Sequence, residues 1–551
     1  MSRIKNLLVS CLFFSTLVVQ AQSKSANPAT SSLPRPKLVV GLVVDQMRWD
    51  YLYRYYDRYQ SGGFKRLLNE GFSCENTQID YIPTFTAIGH STIYTGSVPA
   101  IHGIAGNDFI VQKTGKSMYC TEDETVQTVG STSKAGQMSP RNLLATTITD
   151  ELKLATNFKS KVIGIALKDR GAILPAGHAA NAAYWFDDLT GGWISSSFYM
   201  TELPAWVKKV NGQKQADSYL SKGWNTLYPL GTYVQSTTDN SPYEGKFPGA
   251  TTPTFPIKLN GATTPNYSLL RTTPYGNTLT LDMAKAAIEN EQLGKNTVTD
   301  FLAVSLSSTD YIGHQFGPNA IEMEDTYLRL DQDLATFFSY LDKTIGKGKY
   351  TVFLSADHGA AHNANFLLDQ KIPAGLWPST QITKDLNSFL ESKYQTKNLV
   401  LSLLNYQVNL NNNLIAESKL NEQAIITDCI AFLSTQVGVA NVVDQRDVQS
   451  SSLPETLRPK IQNGYNRDRS GIIQILLQPG WYSGYGTTGT THGTWNPYDA
   501  HIPLVFMGWG IKQGHTNATA HMSDISATLA ALLHIQMPNG CIGSPIAEVL
   551  K

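Results

Sequence analysis

A chain of 551 residues with 42% apolar and 16% charged side chains has a globular rather than a disordered composition. Lys plus Arg number 44 and Asp plus Glu also 44. No long basic run occurs, which speaks against nucleic acid as a partner. An anionic ligand must be drawn in by local charge, because the net charge offers no attraction.

In chain order, the first element is a targeting segment. Met1-Ser2-Arg3-Ile4-Lys5 is basic, Leu7 to Val19 is largely apolar, and Val19-Gln20-Ala21 reads as a small-residue cleavage site before Gln22. That pattern predicts a signal peptide over 1–21 and export to the periplasm or beyond. The apolar run is short for a bilayer span, and no later stretch reaches about 18 uninterrupted apolar residues, so no stable membrane anchor is expected. Cys11 leaves with the signal. Cys74, Cys120, Cys429 and Cys541 remain, compatible with up to two disulfides or with free buried thiols. None forms a CxxC pair, so a Cys-based metal site has no support.

Apolar, β-branched runs then predict buried strands at 38–44, 162–167, 301–306, 350–354 and 502–507. Helical periods lie between them, at 64–70, 279–293, 323–345 and 525–535. Such alternation predicts an α/β fold, a mostly parallel central sheet with helices on both faces. Two stretches break the rhythm, about 179–277 and 363–469, and read as insertions in a single catalytic domain over 22–551. Trp185, Trp193, Trp206 and Trp224 are expected to pack the first insertion.

Acids and histidines collect where the apolar runs stop. Val43-Val44-Asp45 ends the first strand, Ser308-Thr309-Asp310-Tyr311-Ile312-Gly313-His314 follows a later one, and Asp357-His358-Gly359 another. Ligands of open α/β sheets bind beyond the carboxyl ends of the strands, and Asp with His, without Cys, suits zinc. Asp310 and His314, four apart, fall on one face of a helical turn. Each pair alone is equally explained by a capping Asp and a surface His; the three together favour a metal centre. Tyr81 to Ser91 holds a candidate nucleophile, Thr86. A helix beginning there would turn free N–H groups toward a phosphate, although that segment alone supports a plain N-cap as well. His90 is expected to pack or support rather than ligate.

At these residues the chain resembles the alkaline phosphatase superfamily, and within it the PafA-type bacterial monoesterases. The resemblance spans almost the whole mature chain. It is carried by Val43-Val44-Asp45-Gln46-Met47-Arg48, Pro83-Thr84-Phe85-Thr86, Thr95 to Ile104, Asp310 to His314, Ala356-Asp357-His358-Gly359 and Thr491-His492-Gly493-Thr494. It implies two Zn2+ ions. Asp310, His314 and His492 match the site that stabilises the leaving-group oxygen; Asp45, Asp357 and His358, with Thr86, match the site that activates the nucleophile. Manganese or cobalt could replace zinc. The implied path is attack by Thr86 on a small-molecule phosphate monoester, a covalent phosphothreonine, then hydrolysis.

Lys168-Asp169-Arg170 follows the 162–167 strand, and residues two apart on a continuing strand share a face. Lys168 and Arg170 would then both meet phosphoryl oxygens, with Asn107 as a further amide donor by the resemblance, and so favour a dianionic monoester. The rival reading is a phosphodiesterase or nucleotide pyrophosphatase of the same superfamily. A non-catalytic phosphate-binding protein would need a lost ligand or nucleophile, and every position is filled. A monomer is expected.

Overall fold

Five strands run parallel at the centre of the molecule. In spatial order they are Tyr350–Ser355, Leu38–Val44, Asp300–Leu306, Val162–Ala166 and Ala182–Asp187. The computed structural model describes residues 33–259, 266–484 and 486–551, so the expected signal peptide lies outside the described residues. Every residue of Leu38–Val44, Asp300–Leu306 and Tyr350–Ser355 is buried. That is why these runs read as continuous apolar stretches: a parallel sheet is covered on both faces.

Antiparallel strands complete the sheet on both flanks. Leu504–Gly508 pairs with Tyr350–Ser355, and Phe72–Gln78 follows it. Gly192–Ser196 folds back on Ala182–Asp187 at the other side. The expected strand at 502–507 is therefore two pieces, His501–Ile502 and Leu504–Gly508, because Pro503 has no N–H to donate to a ladder. The long Ile321–Leu341 helix carries the apolar face anticipated from Leu328, Leu330, Leu334, Phe337, Phe338 and Leu341, all buried.

Both expected insertions differ in detail from the composition reading. The stretch 179–277 starts inside the central sheet, contributing Ala182–Asp187 and Gly192–Ser196. Both are buried at every residue, and their Ala, Gly, Ser and aromatic content does not read as a β-branched run. Trp185, Trp193 and Trp224 are buried there. The stretch 363–469 belongs to a separate four-stranded sheet, Val400–Ser402, Gln407–Leu410, Ile473–Leu477 and Val439–Asp444, which reaches past residue 469. Helices Ser379–Tyr394 and Glu422–Ser434 pack on it in a hydrophobic cluster of their own. Cys74, Cys120 and Cys429 are buried, Cys541 is half-buried, and all four are free thiols.

The carboxyl ends of four adjacent parallel strands meet at one point. Asp45 follows Val44, Ser307 leads into the Ser308–Phe316 helix after Leu306, Asp357 lies two residues after Ser355, and Lys168 two after Ala166.

Candidate active site

Thr86 is the first residue of the buried Thr86–Thr95 helix, after an extended Phe85. Its hydroxyl lies 3.4 Å from His358 Nε2 and 3.5 Å from Lys168 Nζ. Asp45 Oδ1 is 3.7 Å and Asp357 Oδ2 3.5 Å from that same His358 nitrogen. Both carboxylate oxygens are enclosed and have no hydrogen-bond partner. Two buried, unpaired anionic oxygens converging on one imidazole nitrogen are costly unless a cation joins them. These residues fit a metal ion.

The histidines point the same way. His358 Nδ1 faces the Gly359 carbonyl at 2.9 Å, His314 Nδ1 the Thr490 carbonyl at 2.9 Å, and His492 Nδ1 the Thr84 carbonyl at 2.7 Å. A carbonyl only accepts, so each Nδ1 carries a proton and each Nε2 is left to ligate. Burial pulls His358 down to about 4 and holds His492 well below the usual imidazole range, which favours neutral ligands. Burial also opposes charge on His314, but the neighbouring Asp310 carboxylate outweighs it and raises His314. Asp310 Oδ1 is 3.1 Å from His314 Nε2 and 3.7 Å from His492 Nε2.

Two clusters emerge, Asp310–His314–His492 and Asp45–Asp310–His358. Asp310 belongs to both, whereas the resemblance assigns it to one site. Asp357 lies beside the second cluster rather than within it. Its Oδ1 accepts from the backbone of Gln46 and His358, each at 3.1 Å.

Lys168 and Arg170 reach the site by another route than a continuing strand. The strand stops at Ala166, Lys168 is the extended residue before a helix, and Arg170 is the second residue of Asp169–Ala176. The shared-face argument therefore fails: the pair is placed by a strand-to-helix turn. Lys168 Nζ contacts Asp45 Oδ2 at 2.7 Å and Asp310 Oδ2 at 2.6 Å. Burial opposes its charge, yet those carboxylates raise its pKa. Arg170 Nη1 donates to the Tyr119 hydroxyl at 2.9 Å, and its enclosed Nε has no partner. Asn107 Oδ1 accepts from Ala87 N at 2.9 Å, leaving its NH2 as the free donor. The His314 side chain, 38% exposed, marks the open side of the site.

Sequence reasoning missed Gln46. It sits at φ 64°, uncommon for a non-glycine residue. From there its N–H reaches Asp357 and its Nε2 reaches Asp310 Oδ1 at 2.7 Å. A polar side chain directly after a strand-end Asp was the available signal. His90 supports rather than ligates: Nδ1 donates to the Thr86 carbonyl at 2.9 Å and Nε2 accepts from Ser305 Oγ at 2.8 Å. His362 bonds Asn319 at 2.7 Å, apart from both clusters.

Residues 39–499 match the family model described as type I phosphodiesterase / nucleotide pyrophosphatase. Alkaline phosphatase PafA of Elizabethkingia meningoseptica is 54% identical over 95% of this chain and 96% of its own. The chain belongs to the alkaline phosphatase superfamily. Within it the match is to the PafA type: the crystal structure of wild-type PafA superposes with a TM-score of 0.92 at 53% identity, over 94% of this chain and all of that one. A Myroides odoratus protein named calcium-transporting ATPase is 61% identical over 98% of both chains. Among the described residues no helix is long and apolar enough to cross a membrane.

Proposed function

We propose that the protein is an exported phosphate monoester hydrolase that works through a phosphothreonine at Thr86. The observation that carries this is the Thr86 hydroxyl at a helix start, 3.4 Å from His358 Nε2 and 3.5 Å from Lys168 Nζ. Asp45, Asp357, His358 and Thr86 would hold one zinc ion, and Asp310, His314 and His492 a second. When bound, such ions supply Lewis acidity at the attacking and departing oxygens.

The chain's own groups do the rest. Thr86 Oγ gives up its proton to solvent and attacks phosphorus as the ester P–O bond breaks, and the departing alkoxide takes a proton from solvent. Lys168 lies close enough to Thr86 to favour the deprotonated hydroxyl. Water then attacks the phosphothreonine, releasing phosphate and restoring Thr86. The Asn107 amide and the Arg170 guanidinium are donors for the phosphoryl oxygens, and Asn107 is held at the first turn of the nucleophile helix by Ala87 N. A monoester dianion gains more from these charges than a diester does.

The matched family description favours a second reading, a diesterase on the same residues. The Myroides relative's name joins ATP hydrolysis to calcium transport; the hydrolytic part suits this site too. Rates with a nitrophenyl phosphate monoester, its diester and its sulfate decide among them, run on zinc-loaded, chelated and Thr86→Ala protein. A monoester preference lost on chelation and in the variant supports the proposal. A diester preference overturns the role of Lys168 and Arg170, and no turnover at all favours a binding protein.

A further inference from the structure

Arg170 reaches the site from the second position of the Asp169–Ala176 helix, and a group outside that helix holds it there. Tyr119, the last residue of the strand Lys116–Tyr119, brings its hydroxyl to 2.9 Å from Arg170 Nη1 and to 2.9 Å from Asp169 Oδ1. A phenol has one proton to give. The guanidinium only donates and the carboxylate only accepts, so the proton goes to Asp169 and a lone pair faces Arg170. Burial keeps the phenol protonated, raising it well above its ordinary range although the Arg170 charge pulls the other way. Asp169 and Arg170 are adjacent on the helix and do not face each other; the Tyr119 hydroxyl is the link between them. Thr121 Oγ1 holds the other carboxylate oxygen, Oδ2.

The same strand end fixes the second proposed donor. Lys116–Tyr119 pairs antiparallel with Asp108–Val111, with Asp108 opposite Tyr119. Asn107 directly precedes that partner strand. Its carbonyl accepts from Cys120 N at 2.9 Å, and its Oδ1 accepts from Ala87 N at 2.9 Å. One end of one hairpin therefore carries Asn107 and grips Arg170, and it is tied to the first turn of the Thr86–Thr95 helix. Tyr119 is pinned in turn, its backbone N–H donating to Glu122 Oε2 at 3.1 Å. A free Arg side chain has many rotamers, and a fixed acceptor at the guanidinium removes that freedom before substrate arrives.

We propose that Tyr119 is a positioning residue: its hydroxyl, oriented by Asp169, aims the Arg170 guanidinium at the phosphoryl group beside Asn107, and the preference for a dianionic monoester depends on that aim. The inference rests on the phosphoryl-binding role given to Arg170 above. Tyr119 acts through Arg170 and not by touching substrate. Removing its hydroxyl therefore matters only while Arg170 is present.

A double-mutant cycle tests this, with Tyr119→Phe, Arg170→Ala and the pair, each zinc-loaded and checked for zinc content and Tm. Tyr119→Phe keeps the ring and loses only the hydroxyl. Its kcat/KM for nitrophenyl phosphate should fall by about 10- to 100-fold, that for the diester far less, and the zinc content should hold. In the Arg170→Ala background the same change should cost nothing further. A Tyr119→Phe enzyme as fast on the monoester as the wild type, beside a slow Arg170→Ala enzyme, overturns the inference and leaves the role of Arg170 standing. An undiminished effect of Tyr119→Phe without Arg170 also overturns it. Equal losses on monoester and diester in Arg170→Ala would remove the reading on which the inference rests, and the inference with it. Should Tyr119→Phe fail to fold, Asp169→Asn takes its place in the cycle, with a loss of the same sign and the same dependence on Arg170 expected; no such loss overturns the inference.

Discussion

Lys168 Nζ lies within 2.7 Å of both the Asp45 and the Asp310 carboxylate. In the proposed reading Lys168 and Arg170 both meet the phosphoryl dianion, so their effect should depend on substrate. Replacing both by Ala is expected to slow the monoester by about 10²–10³ per donor lost and the diester far less, read as the ratio of kcat/KM values. Equal losses would dismiss the selectivity role. Gln46 gives a different test, because it bonds Asp310 and Asp357, the proposed ligands. Gln46→Ala removes a hydrogen bond to a charged oxygen, worth about 1.5–3 kcal/mol. Zinc should then leave faster to a chelator, and zinc in excess should restore part of kcat. A loss that excess zinc cannot restore would mean that Gln46 acts on substrate.

At the scale of elements, the nucleophile helix is pressed against the loop after Tyr350–Ser355. A Cβ placed on Gly89 would lie 2.3 Å from the Asp357 carbonyl oxygen and 2.6 Å from Asp357 Cβ. Gly89→Ala must move the helix or the loop, and either shift separates Thr86 from His358. The expected cost is about 1–3 kcal/mol of overpacking, measured by urea unfolding. A fall in kcat larger than the fall in stability predicts should accompany it, since misplacing reacting groups by about 1 Å can cost about 10²-fold. Unchanged kcat would show that the helix position is not critical. The residue before the nucleophile, Phe85, packs against both the main core and the cluster of the four-stranded sheet, so the second sheet braces the same helix.

For the whole molecule, the balanced net charge leaves pH dependence to individual buried groups. Asp333, on the long helix and away from the site, is raised by burial to about 6, although Thr278 donates to it at 2.7 Å. Folded protein therefore holds this proton more tightly than the unfolded chain. Its contribution is fully present below the unfolded carboxylate pKa of about 4 and is lost as pH rises through about 6. Asp333→Asn should match the wild type near pH 4 and exceed it near pH 7.5 by about 1–2 kcal/mol, by urea unfolding at both values. A constant difference across pH would refute the linkage.

The strands were legible because burial on both faces forces continuous apolar runs, and Leu38–Val44 falls where its seven apolar and glycine residues place it. Strand-end acids and histidines were legible because an open sheet presents its carboxyl ends to ligands. Ala182–Asp187 and Gly192–Ser196 were not: they too are buried at every residue, but they are built of Ala, Gly, Ser and aromatic side chains with a single β-branched residue, Ile194, and so do not read as apolar β-branched runs.

The sequence by itself determined the α/β class, the family and the identity of the chemical groups, because those follow from local pattern and residue type. Only the tertiary structure decided how the groups meet. It put Asp310 between two clusters, turned Lys168 onto two carboxylates through a strand-to-helix corner, and gave Gln46 a left-handed backbone that joins Asp357 to Asp310. The physical reason is distance along the chain. The Lys168 and Gln46 contacts join residues separated by 123 to 311 positions, and no local propensity encodes a separation of that kind.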